Sequence, residues 1–470
     1  MSAISKDHEP QPLAQSMAER LAGFAAGFEL AAVPEPVRAY ARLCMADALG
    51  IAFASQGFDF AARSTAAIAA LAGEGAHPVI GSDLRLPARD AALLNGILVH
   101  GLDFDDTHVG AVIHCSTSAL PLVLVEGQRN GVSGAEALAA FILALEADAR
   151  IGLVAEGMLQ KIGFHPTGMV GIFGCTLASG WLGGLDPEPL ARAQGIALSM
   201  AGGSLEFLED GSWTKRMHPG WAASSAITAS ALAAGGFKGP LNAYEGRYGL
   251  YSLYLRETPE RAETVLDDLG EAWEVLRVAI KPYPVCHFNH SSIDAMLHVM
   301  REHGLQPGDI SRVTALIHER QADVVARPES AKRRPANEYE GKFSLQFAVA
   351  AAIVRGRFTL DELEQDALED PEILAMCDRV TFAHDEMSRY PEYYSGGVMV
   401  ETRDGGQWVH REPINRGAEG RALTESQVLE KFMGNATRTI SEAQARRVWE
   451  AVMHLESAPD LSELLDAIAR

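Results

Sequence analysis

A chain of 470 residues, 47% hydrophobic and 22% charged, has the composition of a folded globular protein and the length for more than one domain. Its formal net charge of -22 excludes general nucleic-acid binding, which needs a basic surface. It leaves an anionic small molecule open as a partner, because a binding site is governed by its local charges.

Aromatic residues make up only 7% of the chain, while Ala, Gly and Leu are heavily used, which favours close-packed helices over an all-β fold. The first fifteen residues are polar and hold Pro10 and Pro12, with no basic segment leading into an apolar one, so no signal peptide is expected. Five cysteines, Cys44, Cys115, Cys175, Cys286 and Cys377, are scattered and form no CxxC pair. Reduced thiols in a cytoplasmic protein fit that pattern. The uncharged run Met169 to Leu185 is short for a membrane span and broken by glycine, so a buried helix and no membrane partner are expected.

In chain order, Leu13 to Phe28 has an amphipathic helical pattern. Pro34-Glu35-Pro36 opens a second helix with Val37, Tyr40, Cys44 and Ala48 on one face, and Ala61 to Ala72 reads the same way. An extended piece, His77 to Gly81, leads to a helix over Pro87 to Leu102, with Ala91, Leu94, Leu98 and Leu102 at helical spacing. Further helices are expected over Ser118 to Gln128, Gly134 to Gly152, a small-residue stretch up to Gly184, Pro187 to Met200 and Trp221 to Ala234. Asp210 to Gly220 reads as a polar loop. After about residue 271 the texture changes. Arg312 to His318 and Arg379 to Ala383 are strand-like, and Gly397 to Thr402 with Trp408 to His410 reads as a hairpin about a glycine turn. Helices at Ser291-Ser292-Ile293-Asp294, with capping-box spacing, and Phe343 to Arg355 are interleaved. From about Thr424 the pattern is helical again. The expected architecture is mainly α: a large all-helical domain (residues 1–270), an inserted smaller α+β lid domain (271–410), and a segment (411–470) returning to the helical domain. The cleft between the two is the natural place for a site.

The densest chemistry lies in Asp103-Phe104-Asp105-Asp106-Thr107-His108, with His114 six residues on. If the preceding helix continues, Asp103 and Thr107 share a face, Asp106 lies beside them and Asp105 points elsewhere. Ionisable groups carried out of an apolar region mark a site candidate; a solvated helix end is the plainer reading. A Ca²⁺ loop fails, because position six is His108 instead of Gly and position twelve is His114 instead of Glu. A Zn²⁺ site using His108, His114 and an aspartate lacks HExxH or cysteine support. The D-x-D-D string of terpene cyclases lacks the aromatic lining that carbocations need.

Three other clusters stand out. His165 sits in Gly-Phe-His-Pro-Thr-Gly between helical runs, as a locally bonded ring or as an acid–base group. Lys215-Arg216 with His218 form a positive cluster, either solvated or built to hold a carboxylate. Lys281-Pro282-Tyr283-Pro284-Val285-Cys286-His287-Phe288-Asn289-His290 packs reactive side chains onto a proline-stiffened stretch where the domains meet.

Taken together, "HGLDFDDTH…H", "GFHPTG", "TKRMHPG", "KPYPVCHFNH" and "EGKFSLQFAVA" resemble the MmgE/PrpD family, in order and over about residues 15 to 435. The family includes 2-methylcitrate dehydratase, cis-aconitate decarboxylase and iminodisuccinate epimerase. The resemblance implies an all-helical domain with an inserted α+β lid, a homodimer, and no metal or organic cofactor. Carried over by position, it implies Asp103, His114, His165, Lys215 and Lys281 as catalytic residues, with Thr107, Cys286 and His287 binding substrate. Two departures stand against the decarboxylase pattern. The spacing from Asp103 to His114 is one residue longer, and Cys286 stands five residues after Lys281 where a histidine is expected, with His287 one step later.

The expected reaction moves a proton at a carbon next to a carboxylate of a small di- or tricarboxylic acid. The lysines would hold carboxylates and the developing enolate charge, and His114 or His165 would carry the proton. Asp103 would orient a histidine or act as the base. A hydro-lyase is favoured, since dehydration is the better-known activity of the family. An epimerase, a decarboxylase and a non-catalytic carboxylate-binding protein remain alternatives.

Overall fold

The computed structural model describes residues 15–470; Leu13 and Ala14, expected in the first helix, lie outside them. That helix runs Met17–Ala26, opened by a capping box between Ser16 and Glu19. The core of the helical domain is built around helix Glu35–Ser55, which is buried along nearly all of its second half. Around it pack helices Ala88–Val99, Ser116–Asn130, Gly134–Val154 and Glu425–Ala436. Helices Pro166–Leu182 and Thr214–Ala234 complete the layer. The apolar run Met169 to Leu185, expected to be a buried helix, forms most of helix Pro166–Leu182 and is buried there apart from Trp181. Among the described residues no helix is long and apolar enough to cross a membrane.

Leu423, Val428, Phe432, Val448, Val452, Leu465 and Ile468 belong to the same core cluster as residues of the first 280. The C-terminal segment therefore returns to the helical domain. Between lies a second core, formed by residues from Ala279 to Ala418 together with Val109. It sits under a four-stranded sheet in the order Val380–His384, Ile310–Ile317, Gly396–Thr402, Gln407–Glu412. The first pair is parallel, with Val313 opposite Val380. The other two pairs are antiparallel, with Val313 opposite Val400 and Val398 opposite His410. Helices His290–His303 and Leu345–Arg355 pack against this sheet. The expected strands and helices of the α+β domain are all present. The first of these helices opens on Asn289 with no side-chain cap, and not on a capping box at Ser291.

Two local expectations are corrected. The helix read to Leu102 ends at Val99. Leu102 is fully buried, so it extends the apolar pattern without extending the helix. The chain breaks at Gly101, where a Cβ would meet the Phe60 ring at 2.3 Å, and Asp103 enters the left-handed region at φ 52°. The stretch read as a polar loop up to Gly220 is helical from Thr214. Lys215, Arg216 and His218 are buried; they form the polar face of a helix turned toward a site, and polarity there does not mean solvent. Pro219 lies in the second turn, where its missing N–H leaves one carbonyl of the helix without its usual donor. This helix crosses Ala88–Val99 at two glycines: a Cβ on Gly96 would lie 2.3 Å from the Gly220 Cα. That close approach sets Lys215 and Arg216 against the segment that follows Val99.

Candidate active site

Segment 100–106 is fixed by basic side chains from four parts of the chain. Arg216 Nε donates to the Gly101 carbonyl at 2.7 Å and Lys342 Nζ to Leu102 at 2.7 Å. Lys281 Nζ donates to Asp103 at 2.8 Å and Lys431 Nζ to Phe104 at 2.9 Å. Four successive carbonyls just past a helix C-terminus thus meet four cations, the end of a helix where positive charge is stabilising. Lys342 comes from the lid and Lys431 from the returning C-terminal segment. Lys431 also pairs with the buried Asp47 at 2.7 Å.

Asp103 is the centre of charge. Its Oδ1 accepts from Lys215 Nζ at 2.6 Å and Lys281 Nζ at 3.2 Å, and His114 Nε2 lies 4.0 Å away. Burial alone would raise its pKa, but Lys215 and Lys281 outweigh it and hold the carboxyl well below the usual range. Lys281 reaches this position because Thr107 and His108 pair antiparallel with Ala279 and Val278. This short ladder draws the interdomain stretch onto the segment.

His114 faces three acceptors with Nδ1: Asp105 Oδ2 at 2.6 Å, the Asp106 carbonyl at 2.8 Å and Thr107 Oγ1 at 3.4 Å. Its backbone N–H donates to Thr167 Oγ1 at 3.1 Å. Burial lowers its pKa, against the pull of Asp105. Asp105, expected to point away, is at the heart of the site: its Oδ2 also lies 3.1 Å from His100 Nδ1. His165 caps its helix from an extended residue before Pro166, and its Nδ1 bonds His218 Nδ1 at 2.9 Å. The His165 ring stacks on His100 with centroids 5.5 Å apart. Burial, reinforced by Lys215, holds His165 well below its ordinary pKa. Asp106 turns away to accept from both the N–H and the hydroxyl of Ser116, and burial pushes its pKa up to about 7.

The remaining expected residues lie on the lid side. Cys286 packs with Phe207, Tyr339 and Phe343; burial and then Asp103 push its thiol up to about 11. His287 accepts from Asn415 Nδ2 through Nε2 at 2.8 Å, which leaves its buried Nδ1 without a partner among the described residues. Asp105, His100, Lys342 and Lys431 were missed by the sequence reading. Lys342 stands inside one of the recognised strings, and His100 opens another. Lys431 is one charge on an amphipathic helix and gives no signal.

Two sets of side chains could hold a metal ion. One nitrogen each from His100, His114 and His165 lie within 4.8 Å of one another, as do ligand atoms of Asp103, Asp105 and His114. His108, considered for a zinc site, belongs to neither: its ring spans the Ala111 N–H and Glu274 Oε2. Asp103 already has two ammonium partners, so the local charge favours an anion over a further cation.

The chain is similar to several known proteins. A cis-aconitate decarboxylase-like protein, oryM, of Aspergillus oryzae is 26% identical over 457 residues, covering 93% of this chain and 94% of its own. The cis-aconitate decarboxylase of Homo sapiens is 28% identical over 399 residues, 81% and 79% of the two chains. The 2-methylcitrate dehydratase of Salmonella typhimurium is 23% identical over 418 residues, 83% and 84%. The MmgE/PrpD N-terminal domain family matches residues 19–262 and the MmgE/PrpD C-terminal domain family residues 283–457, so the chain belongs to the MmgE/PrpD family.

Proposed function

We propose that the protein is a lyase for a small di- or tricarboxylic acid, removing a proton from the carbon next to a carboxylate, with loss of water as the favoured outcome. One observation carries this reading. The His114 Nε2 lies 4.0 Å from a carboxylate oxygen of Asp103 that is itself held by Lys215 and Lys281. A base and two cations thus converge in a buried site, the arrangement that proton abstraction next to a carboxylate requires.

Acceptors at Nδ1 keep the His114 proton there and leave Nε2 free to accept one from carbon. The C–H electron pair becomes an enolate, whose charge the Lys215 and Lys281 ammoniums stabilise. Collapse of that pair into a carbon–carbon double bond breaks the C–O bond at the neighbouring carbon. The leaving oxygen takes up the proton that His114 Nε2 received and departs as water, which returns the imidazole to its neutral form. Thr107 Oγ1 and the free His287 Nδ1–H are the neutral donors for substrate carboxylates. No step in this scheme needs a metal or organic cofactor.

The names of the more similar relatives, at 26% and 28% identity against 23% for the dehydratase, favour decarboxylation as a second reading. There the C–C bond to a carboxylate breaks, the pair stays on the α-carbon beside the same lysines, and a protonated imidazole returns a proton to it as CO₂ leaves. Proton NMR in D₂O with 2-methylcitrate, citrate, cis-aconitate and substituted succinates separates the two. New olefinic signals from a hydroxy acid establish the hydro-lyase. Loss of a carboxylate from cis-aconitate establishes the decarboxylase, and deuterium entering an α-position without net loss indicates an epimerase. A panel without any change would overturn the catalytic reading and leave carboxylate binding.

A further inference from the structure

One carboxylate oxygen in this site serves two histidines. Asp105 Oδ2 lies 2.6 Å from His114 Nδ1 and 3.1 Å from His100 Nδ1. Asp105 and His100 are both fully enclosed. Neither Asp105 Oδ1 nor His100 Nε2 has a hydrogen-bond partner among the described residues. The two rings lie 4.8 Å apart, and one nitrogen of His100 is within 4.8 Å of a nitrogen on both His114 and His165.

A carboxylate can only accept from these rings, so both must carry their proton on Nδ1, the nitrogen that holds it less often in water. Both then turn an unprotonated Nε2 away from Asp105. Because His100 Nδ1 has no acceptor besides Asp105 among the described residues, its tautomer depends on that one contact. His114 has the Asp106 carbonyl as a second anchor.

We propose that Asp105 is a positioning residue that holds His100 and His114 together as Nδ1–H tautomers, giving the site a second imidazole base, His100, beside His114. An imidazole that accepts a proton from carbon at Nε2 becomes a cation, and Asp105 stabilises that cation at Nδ1. His100, stacked on His165, can then pass the proton between the two sides of the site. This role rests on the proton-transfer function proposed above, but the tautomers it requires do not depend on any substrate.

The test has two arms. In the first, the protein is labelled with ¹⁵N-histidine and the ring nitrogens are assigned through His100→Asn and His114→Asn variants. Wild-type His100 and His114 should both show Nδ1–H. In Asp105→Ala, His100 should revert to mostly Nε2–H while His114 keeps its tautomer. Wild-type His100 carrying its proton on Nε2, or a His100 tautomer unchanged in Asp105→Ala, overturns the proposal even if no substrate has been found.

The second arm is kinetic, on whichever carboxylate turns over. Asp105→Asn keeps an acceptor but removes the charge. It should lower kcat about 100-fold, with little change in KM, and move the acid limb of kcat/KM to lower pH, since His114 then loses a partner that raises its pKa. The other charges facing the pair, Asp103, Asp106, Asp47, Lys215, Lys281 and Lys431, are unaltered. His100→Asn can still donate to Asp105 but has no base, and should lower kcat at least about 10-fold. An Asp105→Asn enzyme whose acid limb stays in place has lost packing alone, and a His100→Asn enzyme with wild-type kcat has no second base. Either result overturns the corresponding role.

Discussion

Lys281 grips Asp103 twice: its ammonium donates to the Asp103 backbone carbonyl at 2.8 Å and to the carboxylate at 3.2 Å. The residue it holds is in the left-handed region at φ 52°, a conformation that costs a non-glycine residue of order 1–2 kcal/mol. One side chain from the junction of the two domains therefore fixes both the backbone and the charge at the centre of the site.

Replacing Lys281 by Met keeps much of its length but leaves Asp103 to Lys215 alone. Removing one partner of a buried ion pair costs about 3 kcal/mol, and loss of a donor aimed at developing charge costs about 10²–10³-fold in kcat. Denaturant unfolding should show the first and steady-state turnover the second. A variant of wild-type stability would mean that Lys215 alone compensates Asp103.

A second outcome concerns pH. Asp106 is held by burial at a pKa of about 7, although the Ser116 hydrogen bonds pull the other way. A carboxyl whose folded pKa is raised binds more protons folded than unfolded. Its contribution to stability is therefore full below its unfolded pKa of about 3.9 and is lost as pH rises through about 7. In Asp106→Asn the amide can donate to the Ser116 hydroxyl and its oxygen can accept the Ser116 N–H, and no charge appears at any pH. The variant should gain stability relative to wild type as pH rises from about 4 to about 7, the interval between the unfolded and folded pKa values. Thermal midpoints taken across that range test it, and a constant difference would show that Asp106 does not titrate there.

The helical periodicities and the β-branched runs were enough to read the order of elements, the inserted α+β domain and the return of the C-terminal segment to the helical core. The site was legible as clusters: Asp103, His114, Lys215 and Lys281 do converge, and His165 stands beside them. What failed was local. Leu102 is buried in a loop, so its apolar spacing imitated one more helical turn and turned Asp105 the wrong way. Lys215, Arg216 and His218 face a site and not solvent, so their polarity imitated a loop. Lys342 and Lys431 act from 240 and 327 residues away on carbonyl groups; a backbone acceptor leaves no mark in the sequence.

The Lys342 contact ties the lid to the site. Its ammonium is fully buried and donates to the Leu102 carbonyl, with Glu338 3.4 Å away and Glu338 in turn pairing with Arg216 at 2.7 Å. In Lys342→Met the Leu102 carbonyl loses its donor and Glu338 keeps only Arg216. An unsatisfied buried group costs about 1–3 kcal/mol, here concentrated in segment 100–106. Hydrogen exchange should quicken in that segment, and kcat/KM should fall roughly 10-fold, a little over 1 kcal/mol. Unchanged exchange across residues 100–106 would show that the lid does not hold the segment.

The helix crossing at Gly96 and Gly220 gives the last prediction. A Cβ on Gly220 would meet the Leu93 carbonyl oxygen at 2.1 Å and the Leu93 carbonyl carbon at 3.0 Å. These are backbone atoms of helix Ala88–Val99, which cannot swing aside as a side chain can. The helices must move apart, and forcing an added methyl into such a contact costs about 1–3 kcal/mol. Separation also carries Lys215 and Arg216, five and four residues before Gly220 on the same helix, away from Asp103 and Gly101. Gly220→Ala should therefore lose activity as well as stability, although the residue touches no charged group of the site. A Gly184→Ala variant serves as the control: that position has a positive φ of 71° but open space around it. It should lose stability through backbone strain alone while keeping kcat. Equal loss of kcat in the two variants would mean that the helix crossing does not set the position of Lys215.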